Sequence, residues 1–356
     1  MTHKIATVVG ARPQFIKAAP MSKAIAAQSG LAETLIHTGQ HYDQNMSDIF
    51  FSELMPKAPK YLLKCGGLPP SQMIGQMIEG LANHFEEIKP DLVLIYGDTN
   101  STLAGAIAAS KMSLPVAHVE AGVRSGNRYQ TEEINRIIAD NISSLLFCPT
   151  PGALRNLENE GLGKGAHFCG DVMYDLALLT REKSKADLQA LLPPDVQKTI
   201  TENNQSGYGV CTLHRAENLT DRALFKSLID FISEQATHFP IFFVAHPRTR
   251  ALMEETGLKP KGVTLLEPLG YGAMQALIQP AKLLLTDSGG LQKEAYFHKV
   301  RAIVLRDETE WPELIKAGWT RLWTTEDWAC QPHAIDVFGE GNASKLISAQ
   351  IRTFLN

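Results

Sequence analysis

The sequence predicts an α/β protein made of two doubly wound parallel sheets. Three observations lead there. Short runs that are apolar throughout, such as LVLIY at 92–96 and AKLLL at 281–285, alternate with segments of helical periodicity. Strands without polar alternation are buried on both faces, which implies a parallel sheet covered by helices. The alternation then weakens between about 170 and 206 and restarts. The 356 residues therefore divide near 170 into two parts, each long enough to bury its own core, and the expected domains are 1–170 plus the tail 344–356, and 171–343.

Taken in order, the β-branched run 5–9 is a strand that ends at Gly10, and a helix follows over 13–27. A second strand is expected at 33–37, a helix at 44–54, and a loop around Cys65, Gly66 and Gly67. Residues 72–88 form an amphipathic helix with Met73, Met77, Ile78 and Leu81 on one face. Strands at 92–96, 115–119 and 145–148 alternate with an alanine-rich helix at 103–111 and a helix at 132–142. Residues 170–204, with Pro193 and Pro194, read as a connection plus a surface helix. The second half repeats the scheme, with strands at 208–213, 241–245, 263–266, 281–285 and 302–305. Its helices are expected at 221–237, 247–256, 272–278 and 291–298, and a last helix at 344–355.

Composition excludes several classes. A net charge of −4 and a hydrophobic fraction of 44% suit a globular protein without a nucleic-acid or membrane surface. No apolar run is long enough to span a bilayer, and MTHKIATVVGARP lacks a signal-peptide core, so a cytoplasmic location is expected. The five cysteines are odd in number and scattered without CxxC spacing, which fits buried free thiols in a reducing compartment. His and Cys are not clustered as a metal site needs.

Open α/β sheets bind ligands beyond the carboxyl ends of their strands. The residues there are Gly10, Arg12 and Lys17; Thr38, Gln40 and His41; Asp98; and Glu120. In the second half they are His214 and Arg215, His246 and Arg248, and Asp287. Each has a plain structural alternative. Asp98 could cap a helix, Glu120 could sit in an exposed loop, and His214 and His246 could be structural. Their coincidence at successive strand ends favours one site, and the cleft between the two domains is the expected place. Arg12, Lys17, His214 and Arg215 supply positive charge for a diphosphate. Asp98, Glu120 and Glu132 supply carboxylates for acid–base work. In TDSGGLQKEA (286–295), Ser288, Gly289 and Gly290 open a helix whose first N–H groups suit a phosphate, and Glu294 suits a ribose. There is no GxSxG elbow, GxGxxG fingerprint or P-loop.

Ten blocks in order resemble the non-hydrolysing UDP-N-acetylglucosamine 2-epimerases. They are GARPQFIKAAP (10–20), HTGQHYD (37–43), YGDTNSTLAGA (96–106), HVEAGVRS (118–125), EEINR (132–136), LHRAEN (213–218), HPRTR (246–250), TDSGGLQKEA (286–295), RDETEWPE (306–313) and GEGNAS (339–344). The resemblance implies a GT-B fold, two Rossmann-like domains facing across a cleft, and a homodimer. It implies that Arg12, Lys17, Arg215 and His246 contact a UDP-sugar and that Asp98, Glu120 and Glu132 are the catalytic carboxylates. His214 would steady the departing β-phosphate, Ser288, Gly289 and Gly290 would hold phosphate, and Glu294 would hold the ribose. The implied reaction is elimination of UDP and re-addition through a 2-acetamidoglucal, with no metal or nicotinamide and with domain closure around the intermediate. GARPQFIKA is closer to the subgroup acting on UDP-2,3-diacetamido-glucuronic acid, for O-antigen synthesis, than to the GTRPE wording. Gln14 there either lowers negative charge near an acidic sugar or is a surface residue of the helix start. Thr131 stands where the family usually has proline, the loop 64–76 differs from the commoner HGG type, and His298, Lys299 and Val300 replace Gly-Lys-Pro. Asp43 departs from the pattern of members activated allosterically by substrate. A GT-B glycosyltransferase would need an acceptor, a hydrolysing epimerase would release free sugar, and a silent UDP-sugar-binding module would turn nothing over.

Overall fold

The computed structural model describes residues 2–40, 53–55, 59–181, 190–202 and 207–356. The chain separates into two compact units, Met1–Leu178 with Asp336–Asn356, and Leu179–Ile335.

The first unit runs β1 (His3–Val9), α1 (Arg12–Ala27), β2 (Leu31–His37), β3 (Tyr61–Leu62), α2 (Pro70–Ile88), β4 (Leu92–Tyr96), α3 (Asn100–Lys111), β5 (Val116–Val119), α4 (Thr131–Ile142), β6 (Leu145–Cys148), α5 (Pro151–Asn159), β7 (Ala166–Phe168) and α6 (Val172–Arg181). The second contains α7 (Pro194–Glu202), β8 (Gly209–Thr212), α8 (Ala216–Thr220), α9 (Arg222–Gln235), β9 (Ile241–Val244), α10 (Pro247–Thr256), β10 (Val263–Leu266), α11 (Tyr271–Ile278), β11 (Leu283–Thr286), α12 (Gly289–Phe297), β12 (Arg301–Val304), α13 (Pro312–Lys316) and β13 (Thr320–Leu322). The tail α14 (Ala343–Leu355) returns to the first unit, where it packs on α1.

Both sheets are parallel. Their orders are β3-β2-β1-β4-β5-β6-β7 and β10-β9-β8-β11-β12-β13. Each reverses direction beside its first strand, between β1 and β4 and between β8 and β11, which is the switch point of a doubly wound fold. The apolar runs form the two cores. Ile5, Val8, Leu92 to Tyr96, Val116 and Ala117 are buried in the first, and Val210, Cys211, Ile241 to Phe243, Leu284 and Leu285 in the second. Strands buried on both faces have no polar side to alternate with, which is why they read as continuous hydrophobic runs.

Among the described residues the expected elements recur, and the structure adds the helices α5, α8 and α13 and the short strands β3, β7 and β13. β3, β7 and β13 are two or three residues long, too short to leave a pattern. The connection expected over 170–204 instead opens with α6, whose Val172, Met173, Leu176 and Ala177 are core residues. Asp171 starts it by accepting from the Met173 N–H at 2.8 Å. Asp175 ties it to α14, accepting from the Ala343 N–H at 3.0 Å, the Ser344 N–H at 2.7 Å and the Ser344 hydroxyl at 2.6 Å. The helix expected at 44–54 lies mostly outside the described residues, as do His41 and Asp43 and much of the charged stretch 183–198. Cys65, Cys148, Cys169 and Cys211 are buried free thiols, whereas Cys330 is only half-buried. No helix among the described residues is long and apolar enough to cross a membrane.

Candidate active site

In the first unit the site is built at the ends of β1, β4 and β5. Gly10 closes β1 because nothing larger fits: a Cβ there would lie 2.0 Å from Thr38 Oγ1 and 2.1 Å from Ser101 Oγ. Arg12 then begins α1 and is half-buried. Gln14 is completely buried, and both ends of its amide are used. Its Oε1 accepts from the Gly10 and Ala11 N–H groups at 2.7 and 3.1 Å, and its Nε2 donates to the Tyr96 carbonyl and Thr102 Oγ1 at 3.0 Å each. This corrects the surface reading of Gln14. It is a staple between the β1–α1 turn and the end of β4, chosen because one amide can satisfy donors and acceptors together.

Lys17, one turn further along α1, reaches Glu120 Oε1 at 2.5 Å, with both side chains nearly buried. Gly97 makes room for this pair. It adopts φ +62°, and a Cβ there would stand 2.9 Å from Lys17 Nζ and 3.5 Å from Glu120 Oε1. Glu120 itself has φ 71°, a left-handed conformation that costs a non-glycine residue about 1 kcal/mol or more. Strain of that kind persists only where the surroundings impose it, and here it turns the Glu120 carboxylate toward Lys17.

Asp98 is not the helix cap. Thr99 takes that role, accepting from the Thr102 N–H at 3.3 Å. Asp98 Oδ2 instead accepts from Arg136 Nη1 at 2.5 Å, and its side chain is 26% exposed. The Asp98 carbonyl is held by Asn135 Nδ2 at 2.9 Å. Arg136 uses its other edge on Glu133, at 3.1 and 2.8 Å. Glu133 also accepts from the Ser125 and Gly126 N–H groups at 3.0 Å each. Burial resists ionisation of Glu133, but these hydrogen bonds and the Arg136 charge outweigh it and lower its pKa. Of the adjacent glutamates, then, Glu133 is a buried partner of Arg136, while Glu132 lies half-buried on the first turn of α4.

A second buried network was not read from the sequence. His118 Nδ1 lies 2.7 Å from Asp140 Oδ1, and His118 Nε2 lies 2.7 Å from the Gly97 carbonyl. Asp140 also accepts from the Gly122 N–H at 3.1 Å and Arg124 Nη1 at 2.7 Å. Burial opposes the Asp140 charge, yet His118 and Arg124 lower its pKa. The only sequence trace of this network is that His118 and Arg124 flank Glu120 in HVEAGVRS. Nothing in the spacing points to Asp140.

In the second unit the ends of β8 and β11 meet at Asp287. It is fully buried, and its Oδ2 accepts from the His214 N–H at 2.8 Å, the Arg215 N–H at 2.7 Å and Asn218 Nδ2 at 3.1 Å. Its Oδ1 lies 3.0 Å from His214 Nδ1. Burial alone would raise the Asp287 pKa, but the His214 ring and the backbone donors bring it down to about 2. Asp287 therefore fixes His214 and Arg215. His246 caps α10 by accepting from the Arg248 N–H at 3.2 Å, and its ring lies 6.1 Å from that of His214.

Helix α12 begins at Gly289, two residues earlier than expected, with Ser288 as its cap. Gly289 and Gly290 thus form the first turn, where N–H groups have no intrahelical acceptor. The Gly289 carbonyl accepts from Trp311 Nε1 at 3.0 Å, and Lys293 Nζ lies 4.2 Å above the Trp311 ring. Glu294 is buried on the same helix, and its Oε2 accepts from Gln275 Nε2 at 2.6 Å.

Two units of Rossmann type, one with cation-held carboxylates at its strand ends and the other with an anchored histidine and a glycine-opened helix, have the architecture of a GT-B fold. The profile of the UDP-N-acetylglucosamine 2-epimerases matches residues 23–352. The chain is 46% identical to the UDP-2,3-diacetamido-2,3-dideoxy-D-glucuronate 2-epimerase of Pseudomonas aeruginosa, across 88% of this chain and 86% of that one. Among solved structures it is similar to the Methanocaldococcus jannaschii UDP-GlcNAc 2-epimerase in complex with UDP-GlcNAc and UDP. That likeness has a TM-score of 0.85 and 35% identity, over 99% of this chain and 100% of that one. The S. aureus MnaA–UDP structure matches with a TM-score of 0.88 and 27% identity, over 100% and 97%. The chain belongs to the UDP-N-acetylglucosamine 2-epimerase family and is an isomerase of that type.

Proposed function

We propose that the protein epimerises C2 of a UDP-linked N-acetylhexosamine without hydrolysis, and that UDP-2,3-diacetamido-glucuronic acid is its preferred substrate over UDP-N-acetylglucosamine. The observation that carries the chemistry is the pair of cation-held carboxylates at neighbouring strand ends, Asp98 with Arg136 and Glu120 with Lys17. Inverting C2 needs a proton carrier on each face of the sugar, and these two carboxylates, with Glu132, are the candidates. One removes the C2 proton while the C1–oxygen bond to UDP breaks, leaving a 2-acetamidoglucal. The proton then returns from the opposite face and UDP adds back at C1, so no atom is gained or lost. Arg12 and Lys17 bind sugar and diphosphate, and His214 and Arg215, set by Asp287, steady the leaving β-phosphate. His246 adds a substrate contact, the turn Ser288, Gly289 and Gly290 takes the phosphates, and Glu294 takes the ribose hydroxyls.

Support for the acidic diacetamido sugar comes from the 46% identity to the Pseudomonas aeruginosa enzyme of that name. A surface-polysaccharide role, a cytoplasmic location and a homodimer are part of the same proposal. Sedimentation at micromolar concentration tests the dimer. The deciding experiment incubates the enzyme with each UDP-sugar alone in deuterium oxide. The expected result is deuterium at C2, UDP-linked product and higher kcat/KM for the diacetamido uronic acid. A requirement for an acceptor would mean a glycosyltransferase, and release of free sugar would mean a hydrolysing epimerase.

A further inference from the structure

We propose that Gln275 and His298 are positioning residues for Glu294 and that they set the selectivity for a ribonucleoside diphosphate over its deoxy counterpart. The inference rests on the reading of Glu294 as the ribose ligand. Gln275 on α11 is completely buried and donates through Nε2 to Glu294 Oε2 at 2.6 Å. His298, which caps the end of α12, lies with Nε2 at 2.6 Å from Gln275 Oε1. The polarity of this chain is determined. A carboxylate oxygen only accepts, so the NH2 group of Gln275 must face Glu294. Its carbonyl then faces His298, whose hydrogen must be on Nε2.

The three polar groups stand beside an apolar cluster that includes Ala276, Leu277, Ile278 and Ala295. Buried polar groups are costly unless their bonds are made, so the relay holds one geometry rather than several. Its direction is functional. In the first unit the carboxylates are held by cations, Lys17 and Arg136. Gln275 gives Glu294 Oε2 a neutral amide donor, which helps fix the plane of the carboxylate. An anionic acceptor of fixed plane suits a hydroxyl donor such as a ribose diol.

The test titrates the full chain with UDP, 2′-deoxy-UDP and 3′-deoxy-UDP by calorimetry, for the native protein, His298→Ala, Gln275→Glu and His298→Gln. Gln275→Glu keeps the size of the side chain but sets two carboxylates against each other. The native chain is expected to prefer UDP. His298→Ala and Gln275→Glu are expected to lower UDP affinity about tenfold while leaving at least one deoxy nucleotide at native affinity. Loss of the preference together with retained deoxy binding separates positioning from misfolding. In turnover the same variants raise KM for the UDP-sugar with kcat within about twofold. His298→Gln keeps a donor and restores part of the preference. An undiminished preference in both variants overturns the proposal, as does an equal loss for all three nucleotides. A native chain that binds all three alike overturns the ribose reading of Glu294 and this proposal with it.

Discussion

Each unit places an aspartate at the end of the strand that flanks its first strand, and the two aspartates are used in opposite ways. Asp98 follows β4, keeps a quarter of its side chain exposed and is held by Arg136. Asp287 follows β11, is fully buried, and is surrounded by the His214 ring, two backbone N–H groups and Asn218. One topology thus offers the same strand end for two purposes. A carboxylate that exchanges protons has to keep one side open to the substrate. A carboxylate that builds a binding surface is consumed by the groups it arranges. On the proposed reading the first unit is the chemical half and the second the anchoring half.

The largest expected effect separates the two directly. Asp98→Asn should slow epimerisation by roughly a thousandfold, the size of a lost acid–base catalyst, while UDP still binds as measured by calorimetry. Unchanged turnover would remove Asp98 from the chemistry. Asp287→Asn should act mainly on stability. The Asp287 carboxyl ionises at about 2 in the folded chain against 3.8 ordinarily. Its contribution is therefore complete above about pH 4 and is lost as pH falls through about 2. A shift of that size corresponds to about 2 kcal/mol. Denaturant midpoints measured from neutral pH downward should show this loss in the native chain and not in Asp287→Asn, which begins from the lower stability. An identical acid profile in both would mean that the ion pair with His214 contributes nothing.

A stability effect of similar size tests the staple beneath Asp98. Gln14→Leu leaves the Gly10 and Ala11 N–H groups without their acceptor and should cost about 2 kcal/mol in a denaturant titration. The ratio of kcat/KM between the two UDP-sugars should not change, because the Gln14 amide is spent on the protein's own atoms. A changed ratio would return Gln14 to the substrate.

What the sequence made legible follows from the same contrast. The apolar runs of β4 and β11 and the glycines after them have local signatures, so the fold and the strand-end residues could be read directly. Pairings between distant positions could not. Arg136 reaches Asp98 across 38 positions and Asp287 reaches back to His214 across 73. Nothing local marks such partners: Asp287 is legible as a strand-end residue, but its hold on His214 and Arg215 is not. The surface reading of Gln14 fails for a related reason. The first turn of a helix is usually exposed, and only the return of β4 beside β1 encloses it. The helix α6 was missed because a charged, proline-bearing stretch directly after it obscured its apolar face.

The smallest effect compares the two helix caps beside these aspartates. Thr99 caps α3 within a reciprocal box: Thr99 accepts from the Thr102 N–H at 3.3 Å, and Thr102 Oγ1 accepts from the Thr99 N–H at 3.1 Å. Ser288 caps α12 through one long contact, from the Leu291 N–H at 3.4 Å. A cap of the first kind contributes about 1 kcal/mol, and a bond near the distance limit contributes less. Thr99→Ala should therefore lower the melting temperature by a few degrees and leave UDP affinity alone. Ser288→Ala should barely move the melting temperature but weaken UDP binding several-fold, since a hydroxyl little used by its own helix is available to a phosphate. If the two variants exchange these outcomes, the anchor lies in the first unit and the division of labour drawn from Asp98 and Asp287 is reversed.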